Sequence, residues 1–293
     1  MTYSIVARDK QSGLFGVAVQ SHYFSVGSVV TWARAGVGAV ATQSMAEVSY
    51  GPLGLELLAA GKSAGEALRA LVNADARAAT RQVAMVDSSG STSVHTGGEC
   101  IPYAGDASGD GFSVQANLMD NDTIWGAMKD AYQSSLSLDF PERLVHTLKA
   151  AESAGGDIRG RQSSALLVVD AKPSANYWSG KLIELRVEDH PSPNEELERL
   201  LRLSRAYEYA EKGERLISSK KWEDSERAFQ RATTLAPELI ELEYWRAISL
   251  FNSGKKEEAG RLLGKAYLKD ARWKKLTGLL VKSGRLSEEP KIS

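Results

Sequence analysis

Threonine at position 2 is the residue best suited to chemistry, because it directly follows the initiator methionine. Methionine trimming requires a small second residue, so Thr2 is expected to become the N-terminal residue. A free N-terminal threonine carries nucleophile and base together. Its hydroxyl attacks a carbonyl, and its own α-amine, titrating at about 7.7–8.0, takes the proton. The plainer reading, that Thr2 only begins a strand, stands beside this one.

Two further segments concentrate polar groups where structure changes. Gly36-Val-Gly-Ala-Val-Ala-Thr-Gln-Ser44 is a small-residue strand running into a helical region. Such a junction can present backbone N–H groups to a developing oxyanion, or can serve close strand–helix packing. In Gly155-Gly-Asp-Ile-Arg-Gly-Arg-Gln-Ser-Ser-Ala-Leu166, glycines end a helix and a strand follows a tight turn. Asp157, Arg159, Arg161, Gln162 and Ser163 crowd that turn with more polar groups than packing requires, and they build either a site or a stable turn.

Other chemistry has little support. His22, His95, His146 and His190 are too scattered to form a metal centre by local spacing, and no cysteine pair offers one, so no metal and no cofactor is expected. His22 follows the second strand and can line a pocket. Cys100 reads as a structural thiol, although it and Ser4 are the alternative nucleophiles. Gly61-Lys-Ser lacks the upstream glycine of a phosphate loop, and no Gly-x-Ser-x-Gly elbow is present.

The elements that must position these residues follow from pattern. Strands are predicted near 2–8, 14–21, 27–33, 37–43, 82–87, 92–95, 112–117, 163–169 and 182–187. Asp9 to Gly13 forms the first turn. Helices are predicted over 51–60, 64–72, 122–135 and 141–154, the last opened by Pro141 and Glu142. Strands alternating with helix pairs predict two packed sheets with the helices outside.

Near residue 190 the composition turns from Gly, Ala, Val and Ser to Lys, Glu, Leu and Arg, predicting domains at 1–190 and 200–293. In the second, Gly213, Leu216, Trp222, Ser225, Phe229, Ala232 and Pro237 have tetratricopeptide spacing. Ala247, Leu250, Ala259, Leu263 and Ala266 repeat it, and 275–286 reads as a capping helix. An unrelated pair of helical hairpins is the other reading. A formal charge of -1 over 293 residues argues against an obligate nucleic-acid binder. No apolar run approaches membrane-spanning length. A single cysteine, with no signal-peptide pattern, suits a reducing, cytoplasmic compartment.

Five ordered segments carry a family resemblance: Thr2-Tyr-Ser-Ile-Val-Ala-Arg, Gly16-Val-Ala-Val-Gln-Ser, Ala35-Gly-Val-Gly-Ala-Val-Ala-Thr-Gln, Tyr50-Gly-Pro-Leu-Gly-Leu and Gly155-Gly-Asp-Ile-Arg-Gly-Arg-Gln-Ser. Residues 1 to about 200 resemble the bacterial family known as domain of unknown function 1028, which is grouped with the N-terminal nucleophile hydrolases. The resemblance implies an α+β, four-layer αββα sandwich. It also implies cofactor-free hydrolysis of a peptide or small amide through an acyl-enzyme, and a homo-oligomer. It places Thr2 as nucleophile, Ser21 near the position of an orienting Asp, Gln43 and Ser44 at the oxyanion turn, and Asp157 where the nucleophile is steadied. Proteasome-like relatives carry a Lys near the nucleophile. Here that stretch offers only Arg34, which does not readily exchange a proton. His22, Arg34, Arg159, Arg161, Gln162 and Ser163 complete the candidate binding residues. Two functions follow as expectations: an amide hydrolase using Thr2, or a non-catalytic ligand-binding scaffold whose helical repeats recruit a protein partner.

Overall fold

The first hairpin follows directly from its turn residues. In the computed structural model, which describes residues 2–174, 176 and 179–292, β1 (Thr2–Arg8) pairs antiparallel with β2 (Phe15–Ser21). Asp9 Oδ2 accepts from the Ser12 amide and hydroxyl, and Gly13 takes a φ of 74° that favours glycine.

Two antiparallel sheets form in the N-terminal part. The first joins β1 and β2 to β7 (Gly105–Gly109), β8 (Phe112–Asn117), β9 (Ser163–Val169) and β10 (Lys181–Val187), in the order β10-β9-β2-β1-β8-β7. The second is β3 (Thr31–Arg34), β4 (Gly38–Ser44), β5 (Arg81–Asp87) and β6 (Thr92–Thr96), in sequence order. Strand alternation sorts the side chains. Val6, Val17, Val19 and Leu167 of the first sheet share one apolar cluster with Ala39, Ala41, Ala84 and Val86 of the second.

The opposite face of the second sheet carries Val40, Val83 and Met85. They pack with Leu55 and Leu58 of α1 (Tyr50–Ala59) and Ala67 and Leu68 of α2 (Ala64–Ala74). Ser63 and Glu66 form a capping box at the start of α2, satisfying orphan amides there. The helices α3 (Ile124–Ser134) and α4 (Phe140–Ser153) pack with the first sheet. A Cβ on Gly16 would lie 2.4 Å from Leu144 of α4, so this close approach requires glycine.

Two local expectations differ from the structure, and one strand lies where none is predicted. The strand predicted over 27–33 is a 3-10 turn at Val26–Ser28 followed by the shorter β3. Its polypeptide is held off the extended path by Ser163, whose Oγ accepts from Val26 N at 3.0 Å and donates to Tyr23 O at 2.5 Å. β7 has the sequence Gly-Asp-Ala-Ser-Gly and so no apolar alternation to reveal it. The last predicted helix is displaced and runs from Arg272 to Lys282.

The chain divides into two compact units, residues 1–200 and 201–293. The helix α5 (Pro193–Ser218) spans that boundary in sequence, and α6 (Trp222–Leu235), α7 (Ile240–Asn252), α8 (Lys256–Lys269) and α9 (Arg272–Lys282) follow. In the second unit Phe229 is fully buried with Ala206, Ala210 and Ala232. A Cβ on Gly213 would lie 2.6 Å from the Phe229 ring, and Ser225 Oγ donates to Gly213 O at 2.9 Å. Ala247, Leu250, Ala259, Leu263 and Ala266 form a second cluster. Among the described residues, no helix is long and apolar enough to cross a membrane.

Candidate active site at the start of the first strand

Cross-strand pairing brings chemistry-bearing residues into rows. On the first sheet Asn117, Thr2, Ser21 and Ser163 lie side by side, because Thr2 pairs with both Asn117 and Ser21, and Ser21 pairs with Ser163. The next row on the same face includes Gln115 and Ser4. On the second sheet Gln43 pairs with Gln82, and Gln82 with Thr96. The space between the sheets is therefore apolar toward Val6 and polar toward Thr2.

Most of those polar groups satisfy one another. Gln43 Oε1 accepts from Ser4 Oγ at 2.6 Å, and Gln43 Nε2 donates to Thr2 O at 3.2 Å and Gln82 Oε1 at 2.7 Å. Gln82 Nε2 donates to Ala116 O at 2.9 Å and Gly105 O at 3.2 Å. Gln115 Nε2 donates to Ser4 Oγ at 2.6 Å. Ser4 is thus enclosed in the network, away from any approaching substrate. Thr2 Oγ1 donates to Ser21 Oγ at 3.1 Å.

A cavity of about 500 Å³ opens beside this row. Thr2, Ser21, Gln43 and Ser44 line its polar end, with Val26, Val29, Val30, Met45 and Val48 as apolar walls. Arg77, Arg81, Arg159 and Glu47 supply its charges. Ser44 adopts φ 70°, a left-handed conformation that costs a non-glycine residue about 1–3 kcal/mol. Successive strand N–H groups point to opposite edges. Thr42 N donates to Val30 O at 3.2 Å, which places the Ser44 N–H on the same edge, beyond the start of β3, where Val29 and Val30 line the cavity.

Asp157 lies behind the cavity, its side chain fully buried. Its carboxylate accepts from His22 N at 3.1 Å, Arg159 N at 3.0 Å, Arg159 Nε at 3.1 Å and Arg159 Nη2 at 2.8 Å. The loop is held by a bridge between Met119 and Asp157, and by Gly156 and Gly160 at φ 67° and 98°. Arg81 is buried and donates to Asp75 at 2.8 Å and to Met45 O at 2.5 Å. Its hydrogen bond holds the Asp75 carboxyl below the usual range. The Arg77 guanidinium is exposed and has no hydrogen-bond or ion-pair partner among the described residues.

The other sequence candidates fall elsewhere. Arg34 faces Glu56 of α1 at 3.4 Å and does not line the cavity. Arg161 pairs with Glu152, which also accepts from the Tyr3 hydroxyl at 2.7 Å. Burial and then Glu152 push the Tyr3 phenol well above its ordinary pKa. Gln162 contributes its carbonyl to His190 N at 2.8 Å, while Ser163 anchors the loop at Tyr23 and Val26. His22 meets Asp157 through its backbone. His146 is exposed on α4, and the Cys100 thiol is buried against Arg81 O at 3.3 Å. Met1 lies outside the described residues. Sequence reasoning missed Gln82, Gln115, Asn117, Arg77 and Arg81; the only signal for the first three is an amide side chain recurring inside otherwise β-like runs.

Comparison with known proteins agrees with the five segments. The model for the Family of unknown function (DUF1028) matches residues 2–197. Among solved structures, protein SPO2555 from Silicibacter pomeroyi, of the same family, is similar with a TM-score of 0.62 and 29% identity, covering 69% of this chain and 88% of that one. No curated protein matches. With a family model spanning the whole first unit up to residue 197, the chain belongs to the DUF1028 family.

Proposed function

We propose that the chain is an amide hydrolase in which Thr2, freed of Met1, is the nucleophile. The observation that carries this reading is the convergence of Thr2, Ser21 and the strained Ser44 on one cavity. The two sheets and their flanking helix pairs are read as the αββα sandwich of the N-terminal nucleophile hydrolases. Thr2 Oγ1 attacks the substrate carbonyl and passes its proton to the Thr2 α-amine, while the Ser44 N–H stabilises the oxyanion. Collapse breaks the C–N bond, and the α-ammonium returns a proton to the departing amine. Water then attacks the Thr2 ester, giving its proton to the α-amine, and the carboxylic acid leaves as Oγ1 is reprotonated. Ser21 orients the hydroxyl, and Asp157 fixes the loop beside it.

The cavity also supports a substrate class. Three arginines and one glutamate ring it, and Tyr23, Met45 and Val48 form an exposed apolar rim. These groups favour an amide with an apolar acyl part and a carboxylate on the amine part, such as an N-acyl amino acid. The direct test is turnover of N-phenylacetyl or N-octanoyl amino acids by wild type and Thr2→Ala. Loss of all turnover in a folded Thr2→Ala supports the reading; full turnover in that variant refutes it.

A scaffold role for the second unit is the other reading. We take α5 to α9 as tetratricopeptide-like hairpins with a cap. A cleft of about 490 Å³ within that unit, lined by Trp222, Trp245, Ile248 and Leu280, favours capture of a peptide with apolar anchors.

A further inference from the structure

We infer that Asn117 is a positioning residue that holds the α-amine of Thr2 through its side-chain oxygen. The inference rests on the Thr2 reading above. A main-chain carbonyl can only accept, so the contacts of Gln82 with Gly105 O and Ala116 O fix its Nε2 on that side. Gln82 Oε1 must then point the other way, where it accepts from Gln43 Nε2 at 2.7 Å and Asn117 Nδ2 at 2.9 Å. Asn117 Nδ2 also faces Thr2 O at 3.4 Å. Turning the Asn117 amide over would oppose oxygen to oxygen at both contacts, so its orientation is settled.

That leaves Asn117 Oδ1 buried with no hydrogen-bond donor among the described residues. An unmet buried acceptor costs about 1–3 kcal/mol. Asn117 is directly opposite Thr2 on β8, on the same face of the sheet. While Thr2 is acylated by a preceding residue, its nitrogen has one N–H. Methionine removal converts that nitrogen to an amine with two N–H groups, or three when protonated, which supplies the donor Oδ1 lacks. The neutral oxygen suits a catalytic base. It orients the amine without the added negative charge by which a carboxylate would hold the amine protonated.

The test is the pKa of the Thr2 α-amine, measured by pH-dependent trace labelling of the N-terminus and mass spectrometry. It is applied to untagged wild type, Asn117→Asp and Asn117→Ser, with melting curves to confirm folding. Asn117→Asp is expected to raise the proton affinity of the amine about tenfold or more and to move the acid limb of the pH–rate profile with it. Asn117→Ser is expected to lower the amine pKa and reduce kcat at least tenfold, with KM changed less than twofold. If Asn117→Asp does not fold, Asn117→Ser decides. An unchanged amine pKa in the folded variants overturns the inference; Thr2-dependent turnover would then still support the hydrolase. A shifted pKa in a protein without Thr2-dependent turnover would uphold the contact and refute the hydrolase.

Discussion

Gln43 Nε2 donates to Gln82 Oε1 at 2.7 Å, joining the side chains of two neighbouring strands in the polar region between the sheets. Through Gln43 the same network reaches Thr2 O, and through Gln82 it reaches Ala116 O. The first strand is therefore positioned by side-chain amides as well as by its sheet ladder. Gln82→Leu removes the acceptor for Gln43 and Asn117 and the donor for two carbonyls. We expect a loss of about 2–4 kcal/mol, since several buried polar groups lose partners together. Urea unfolding at neutral pH measures it; a change under 0.5 kcal/mol would show that the network does not brace the sheets.

Asp157→Asn is expected to loosen the loop between α4 and β9. Breaking a buried ion pair costs about 3–5 kcal/mol, and the partial exposure of Arg159 should reduce this to about 2 kcal/mol. Activity should fall further than stability alone explains, because Arg159 lines the cavity. Unfolding and turnover measured on the same preparation separate the two effects.

Alkaline pH should destabilise the first unit. Burial pushes the Tyr132 phenol up to about 12 from its ordinary 10 and raises Tyr3 well above that value. A raised folded pKa means that this stability is intact below pH 10, where both states are protonated, and is lost as pH climbs toward 12. Tyr132 alone contributes on the order of 2 kcal/mol across that window. Among the described residues its hydroxyl has no hydrogen-bond partner, so Tyr132→Phe should be neutral or stabilising at pH 7 and should flatten the alkaline loss. Melting temperatures from about pH 7 to about pH 12 give both signs.

Arg77→Gln should discriminate between substrates. For an amide with a free carboxylate, KM should rise about tenfold, the scale of one charge-assisted hydrogen bond. For the matching carboxamide it should change less than twofold, with kcat constant in both cases. Equal effects on the two substrates would remove Arg77 from recognition.

What the sequence discloses here depends on how far apart the partners are. The β1–β2 hairpin is legible because Asp9 and Gly13 lie within one turn, and the apolar alternation around it is local. Thr2, Ser21, Gln43 and Asp157 stand out through the five family segments, and Ser44 directly follows the third. The chain alone does not disclose that Gln82 faces Gln43 across 39 positions, or that Asn117 lies beside Thr2 across 115. A polar residue in a strand ordinarily marks its solvent face, and only the stacking of two sheets turns these amides inward. β7 is silent for a related reason, since its Gly-rich sequence lacks the apolar alternation that reveals its neighbours.

The most direct test of the Thr2 nucleophile is the intact mass of the untagged protein before and after treatment with an acylating β-lactone, with the adduct mapped by fragmentation. The account predicts a chain lacking its initiator methionine and a single acyl group on Thr2, absent in Thr2→Ala. Retention of methionine, or an adduct that persists in Thr2→Ala, would contradict it.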